Sequence, residues 1–368
     1  MAVLIPRSAA CQGWRGTARV RGEVRADDNP FLLDADHRPR LGNPSASDVV
    51  NGRYRDMESA ADVIAIPSVE LGATGDGLGG RSLAISADIA YELNMRNPAR
   101  RHSELQLGIE QSIRKGGALQ FTADWRPTYF HKNYLADAVD INGNDNIASA
   151  ERIYTRGTSH EIDLELQYRQ RLKAVSAALS AGFLGRRYDA PFTVRNRHGP
   201  GIHGDVAADL GPAVTVGGGY SVASLSGDPG PAILILDEND FGVDFNGNLT
   251  TTDSSARASV LVDYSRVERQ LAASIRGQTG AATVAVEYGR RTRDFGSTQP
   301  YDVVNRDRHD VLDELTIAAE VRLGADARLA LGVRRGAQTT NRGGDPGSTG
   351  DVADYDRNIA WAGVRYRF

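Results

Sequence analysis

An all-β chain, closed on itself as a single antiparallel up-and-down barrel that spans a membrane, is the fold this sequence predicts. Three observations carry the prediction: side chains alternate apolar and charged with period two along nearly the whole chain, short turns alternate with long polar loops, and the final residue is an aromatic that ends an alternating run. Successive side chains of a strand point to opposite faces, so period two sorts a sequence into two surfaces.

In the opening segment Trp14, Gly16, Ala18, Val20, Gly22 and Val24 form one row, and Arg15, Thr17, Arg19, Arg21, Glu23 and Arg25 form the other. Leu83, Ile85, Ala87, Ile89, Tyr91 and Leu93 alternate with residues that include Ser86, Asp88, Glu92 and Asn94. Leu105, Leu107 and Ile109 stand against Glu104, Gln106 and Glu110, and Leu119, Phe121, Ala123 and Trp125 against Gln120, Thr122, Asp124 and Arg126. The sorting is cleanest where Ile162, Leu164, Leu166 and Tyr168 are threaded between Glu161, Asp163, Glu165, Gln167 and Arg169. A helix would spread those charges around its circumference. Similar segments run through 175–183, 213–222, 256–264, 282–288, 315–323 and 329–333, and no stretch has a comparable helical period. The count comes to about fourteen strands, with sixteen as the alternative. A single-chain barrel of this kind has an even number, yet counting from the two ends conflicts between residues 254 and 293, so one strand there is split or missed.

Short turns fall at Arg114-Lys115-Gly116-Gly117, Arg171-Leu172-Lys173, Gly211-Pro212 and Gly324-Ala325-Asp326. Long polar loops lie near 26–60, 130–157, 187–201, 225–253, 294–310 and 335–355. Barrels of outer membranes combine short periplasmic turns with long extracellular loops, which places these loops outside. The organisation is an N-terminal tail, 1–13, followed by one barrel, 14–368.

Composition excludes several classes. At 40% hydrophobic and 24% charged residues the chain is neither a disordered polymer nor a helical membrane protein. No run approaches the roughly 18 apolar residues that a spanning helix needs. The single cysteine, Cys11, excludes disulfide frameworks and cysteine zinc sites. A net charge of -4 spread over both signs leaves no basic stripe, so nucleic acid is not an expected partner. The apolar run in MAVLIPRSAACQGW is too short for a signal-peptide core, and the expectation is that an export signal was removed or lost from this chain.

A soluble sandwich also alternates, so lipid must be argued separately. The apolar rows are rich in Ala, Gly, Val and Leu, and Tyr91, Trp125, Tyr168, Phe183, Tyr264, Tyr288 and Tyr366 fall near segment ends, as an interfacial aromatic girdle requires. The charged row then faces a lumen, where arginines and carboxylates on neighbouring strands satisfy one another or water. Lumen-lining residues expected on this reading include Arg19, Arg21, Glu23, Asp163, Glu165, Arg169, Glu320 and Arg322.

The C-terminus reads NIAWAGVRYRF, with Ala360, Ala362, Val364, Tyr366 and Phe368 on one face. It resembles the C-terminal signature of bacterial outer-membrane β-barrels. That resemblance implies an outer-membrane location, contact with its lipid and lipopolysaccharide, and insertion by the barrel-assembly machinery, with Tyr366 and Phe368 as the assembly signal. More loosely, the opening strand running into Ala26-Asp27-Asp28-Asn29-Pro30-Phe31 resembles the start of barrels associated with exopolysaccharide export or surface-lipoprotein assembly. The helical repeats that often precede a lipoprotein-assembly barrel, and the plug of TonB-dependent transporters, find no counterpart in the sequence.

The function expected first is a porin-like channel for small polar solutes. The alternatives are a secretion or assembly barrel for polysaccharide or lipoprotein, and a structural or adhesive barrel with calcium-binding outer loops. Asp140, Asn142, Asn144 and Glu151 stand at positions 1, 3, 5 and 12 of a segment like an EF-hand calcium loop, with Asp145 where the sharp turn favours Gly. The fragment Asp244-Phe-Asn246-Gly247-Asn248 repeats its first half without the closing Glu, and Asn-Gly turns explain both equally well. His37, His102, His131, His160, His198, His203 and His309 are all placed in or beside external loops. HExxH, GxSxG and phosphate-cradling glycine loops are absent, so no enzyme and no cofactor other than calcium is expected.

Overall fold

The computed structural model describes residues 13–45, 53–135, 154–235, 242–243, 249–250, 257–299, 302, 304–341 and 354–368. Fourteen strands form one closed sheet: β1 (Arg15–Asp27), β2 (Asp62–Asp76), β3 (Ser82–Asn94), β4 (His102–Arg114), β5 (Gly117–Leu135), β6 (Tyr154–Leu172), β7 (Val175–Tyr188), β8 (Arg197–Asp209), β9 (Val214–Leu225), β10 (Arg266–Thr279), β11 (Ala282–Phe295), β12 (His309–Arg322), β13 (Ala327–Thr340) and β14 (Tyr355–Arg367). Each is antiparallel to its neighbour. β14 returns to β1 with Tyr366 opposite Val20 and Ala360 opposite Ala26, and the Phe368 N–H donates to the Ala18 carbonyl at 3.0 Å. Closure leaves no unpaired edge, which is the condition for a sheet to cross lipid.

The conflict in strand count has a structural answer. Arg257–Val262 is not a barrel strand; it pairs with Gly230–Ile235 in a separate two-stranded ribbon inside the β9–β10 connection. The barrel resumes at Arg266, and β10 meets β11 through the Thr279–Ala282 pair. That ribbon alternates as well as a spanning strand does, so period alone does not separate them. β2 is hard to read for the converse reason: Ile64 and Ile66 are buried on the face that elsewhere carries charge, so its outer end is apolar on both sides.

Exposure confirms which face looks outward. Leu179 and Ile202 are 65% and 62% exposed, and Leu71, Leu166, Leu271 and Leu331 are exposed too, whereas a sandwich would have buried one such row against a second sheet. Tyr91, Trp125 and Phe183 stand exposed on this face toward the long-loop end, with Tyr366 and Phe368 at the other, while Tyr288, also exposed, lies at mid-strand. Tyr264 is an exception to the expected girdle: it lies outside the barrel strands and is buried. At the short-turn end the chain reverses within Lys115-Gly116, where Gly116 adopts φ 70°, a conformation glycine takes without a Cβ penalty.

The buried apolar residues gather at the long-loop end. Phe31, Leu33, Leu41, Tyr54 and Met57 from the β1–β2 connection pack on Phe130; Tyr134, Tyr188 and Phe192 form a second group, and Val262, Tyr264, Phe295 and Val304 a third. Asn29 pins the first group in place, its Nδ2 donating to the Leu33 carbonyl at 2.7 Å and to the Asp356 carbonyl at 2.9 Å. Leu41 sits on the short helix α1 (His37–Gly42). Beside it, burial works against ionisation of Asp34, but hydrogen bonds from the His37 side chain and backbone outweigh it and hold that carboxyl at about 2. The outer mouth is therefore narrowed by folded loops.

Candidate functional site

Inside the sheet, below those loops, lies a cavity of about 1030 Å³. Its wall charges follow from strand register, because inward side chains at paired positions form lateral rows around the barrel.

One row runs Arg19, Glu70, Asp88, Gln106, Asp124, Asp163 across β1 to β6, each opposite the next. Arg19 ion-pairs with Glu70, and Gln106 Nε2 donates to Asp124 at 2.7 Å. Asp124 and Asp163 are direct cross-strand partners of like charge. With Glu165 two positions on, this side of the cavity is acidic.

Nearer the long-loop end a second row runs Arg126, Glu161, Arg186, Arg197 across β5 to β8. Arg126 Nε holds Glu104 at 2.6 Å, and its Nη1 holds Glu161 at 2.9 Å. Glu161 also takes Arg186 Nε at 2.7 Å and lies 3.5 Å from His131 Nε2. Sign alternates up to Arg186 and then breaks, since Arg197 stands directly opposite it. Further round, Glu268 lies between Arg266 and Arg293, with Arg293 Nε 3.6 Å away, and Arg308 Nη2 pairs with Asp310 at 2.8 Å. Arg195 stacks 3.8 Å from the centre of the Tyr134 ring and 5.1 Å from that of Tyr264. Burial pushes the Tyr264 hydroxyl above its usual range, so it stays a neutral donor.

Of the residues singled out from sequence, Arg21, Asp163 and Glu165 line the cavity. Arg19 and Glu23 share the β1 face of Arg21. Arg169 and Glu320 lie toward the short-turn end, paired with Glu110 at 2.9 Å and Arg328 at 2.7 Å, and Arg322 ends β12. Arg197 and Arg266 escaped sequence reading because β8 and β10 interrupt the alternation, with Gly199-Pro200-Gly201 in one and Arg269 in the other, whereas Arg186 and Arg293 lie at the long-loop ends of β7 and β11, beyond the segments 175–183 and 282–288, and Arg195 lies in the connection before β8. Asp140, Asn142, Asn144 and Glu151, like Asp244 to Asn248, lie outside the described residues. His203 departs from its expected loop placement: it sits within β8, its Nε2 2.7 Å from Asp205.

Among the described residues one group has metal-ligand geometry. Ligand atoms of Glu92, His102 and Glu104 lie within 4.8 Å of one another. His102 Nε2 is 3.8 Å from Glu92 and 3.4 Å from Glu104, while its Nδ1 is 2.8 Å from the Arg100 carbonyl. Both carboxylates already hold arginines, Arg25 at 3.3 Å and Arg126, so the group is satisfied as an ion-pair network.

No family model and no curated protein matches the chain. Solved structures similar to it include the outer membrane channel DcaP of Acinetobacter baumannii, at 10% identity over 96% of this chain and 97% of that one, TM-score 0.46. The anion-selective porin from Comamonas acidovorans is 10% identical over 96% and 99%, TM-score 0.43. A mutant of TodX, a monoaromatic hydrocarbon channel, is 7% identical over 96% and 90%, TM-score 0.46. At that distance the likeness is one of barrel architecture, and no solute passes from those names to this chain.

Proposed function

We propose that the chain is a porin-like channel for small polar solutes in a bacterial outer membrane. The observation that carries this reading is the division of one closed sheet into an apolar exterior and a charged interior around a cavity of about 1030 Å³. The exterior matches hydrocarbon, and lumen charges of both signs suit hydrated, polar passengers. Contact with lipid and lipopolysaccharide, and insertion by the barrel-assembly machinery through Tyr366 and Phe368, belong to the same reading; those rings pack edge to face, 4.9 Å apart, at the closing seam. Transport is passive on this reading, with no catalytic step. A calcium ion held by Asp140, Asn142, Asn144 and Glu151 would lie in the β5–β6 connection at the long-loop end, and a calcium titration of Glu151→Gln tests it.

Planar-bilayer recording of the refolded protein tests the channel. Stepwise conductance from a species whose gel migration changes on boiling is the expected result; a correctly folded barrel that passes no current would overturn it.

A further inference from the structure

The basic side of the cavity is over-supplied with cations. Arg186, Arg197, Arg266, Arg291, Arg293 and Arg308 line it with three carboxylates among them, Glu161, Glu268 and Asp310, the last paired with Arg308. Glu161 is already shared with Arg126 and His131, and Glu268 is shared by Arg266 and Arg293. Arg197 is 8% exposed, and its hydrogen bond goes to the Arg195 carbonyl at 3.3 Å; among the described residues no carboxylate lies within ion-pairing distance of it. Among the described residues Arg291 donates to Gln270 alone, at 3.1 Å and 3.3 Å. Among the described residues Arg293 Nε is buried without a hydrogen bond, while its Nη1 donates to Gln338 at 3.1 Å.

Like charges placed directly opposite across a ladder destabilise it, as Arg186 and Arg197 do here. A buried cation without a counter-ion is costlier still. Aromatic faces also fix two of these side chains: the Arg197 guanidinium lies 6.0 Å from the Tyr188 ring centre, and that of Arg266, which is paired with Glu268, lies 5.4 Å from Phe295. Such rings hold a guanidinium in place and leave its forked donors available for a planar or tetrahedral acid.

We infer that this wall is a binding station for small solutes bearing two or more acidic groups, carboxylate or phosphate. One group sits between Arg186 and Arg197. The second reaches the Arg291 and Arg293 side, where Glu268 offsets only part of the positive charge. The inference rests on the channel reading for its biological sense, since a station inside a closed barrel serves a solute that passes through. The cavity is large enough for such a molecule.

Calorimetric titration of the detergent-folded protein with malonate, pyrophosphate and acetate tests it without requiring conductance. Malonate or pyrophosphate should bind one to one, at least about tenfold tighter than acetate, and should weaken as salt rises. The tighter of the two identifies the acid. Arg197→Gln and Arg291→Gln should each lower that affinity about tenfold, while Arg328→Gln, remote at the short-turn end, should keep it. Heat-modifiable migration shows that each variant is folded. Dianions binding no tighter than acetate, or unaltered in folded Arg197→Gln and Arg291→Gln, would sink the station and leave the channel standing. A folded protein that binds dianions yet conducts nothing would keep the station and sink the channel.

Discussion

The two sides of the lumen are built by the same device with opposite sign. On the acidic side Asp124 faces Asp163 across the β5–β6 ladder, and on the basic side Arg186 faces Arg197 across β7–β8. Between them stands Glu161, which holds Arg126 on one flank and Arg186 on the other. Charges that only stabilised the barrel would alternate, as they do from Arg126 to Arg186. The places where alternation fails mark where electrostatic stability has been given up, and they lie on consecutive strands, β5–β6 and β7–β8, along one stretch of the cavity wall. The potential therefore changes sign along the wall, and on the channel reading a passing charged solute meets both signs.

The strongest way to break the contrast is to remove its hinge. Glu161→Gln leaves Arg126 without one of its two carboxylates and Arg186 with none among the described residues, in a place where Glu161 is only 15% exposed. Breaking such a pair leaves an uncompensated cation, and the expected loss is about 3 kcal/mol in urea unfolding from lipid vesicles. Stability unchanged from the parent would mean that water already screens this row.

Next in size is a test that the charged rows share one side of the sheet. Leu166 and Glu165 are neighbours on β6, the first exposed outward and the second lining the cavity. Leu166→Arg should cost about 2–4 kcal/mol if it lies near the bilayer midplane, and Glu165→Arg much less because the lumen solvates it. Equal costs in the same vesicle assay would remove the distinction between lipid and lumen.

Ionic strength sharpens the comparison without mutation. Screening acts over about 10 Å at 0.1 M salt and about 3 Å at 1 M. Any preference between potassium and chloride should therefore shrink as symmetric salt is raised, as reversal potentials under a fixed gradient ratio would show. A preference constant across that range would point to pore size rather than wall charge.

How much of this could be read from residues alone depends on the physics of each part. The outward face was legible because lipid enforces one rule on every strand: Ile162, Leu164 and Leu166 must all be apolar, so period two survives. The even strand number, the short turns and the seam at Phe368 follow from the same constraint. The lumen obeys no single rule. Asp163 and Glu165 were legible as inward, but that Asp163 meets Asp124 while Glu161 meets two arginines depends on register, which the turns set. The basic residues were less legible still, because Arg195 precedes β8 and Gly199-Pro200-Gly201 breaks the pattern just after Arg197. The ribbon at Arg257–Val262 shows the limit from the other side: alternation there reports a two-faced strand, whatever covers its apolar face.

The smallest expected effect is also the most symmetrical. Asp163→Asn and Arg197→Gln each dissolve one like-charged ladder pair, so each should stabilise the barrel, by about 0.2–1 kcal/mol. Their effects on selectivity should have opposite signs, Asp163→Asn moving the reversal potential toward anions and Arg197→Gln toward cations. Stabilisation with parallel shifts in selectivity would mean that the two pairs act on packing alone. Opposite shifts without stabilisation would mean that each repulsion is already screened, the field surviving while its cost does not. Both measurements on one pair of variants therefore separate what the facing charges cost the fold from what they do to a passing ion.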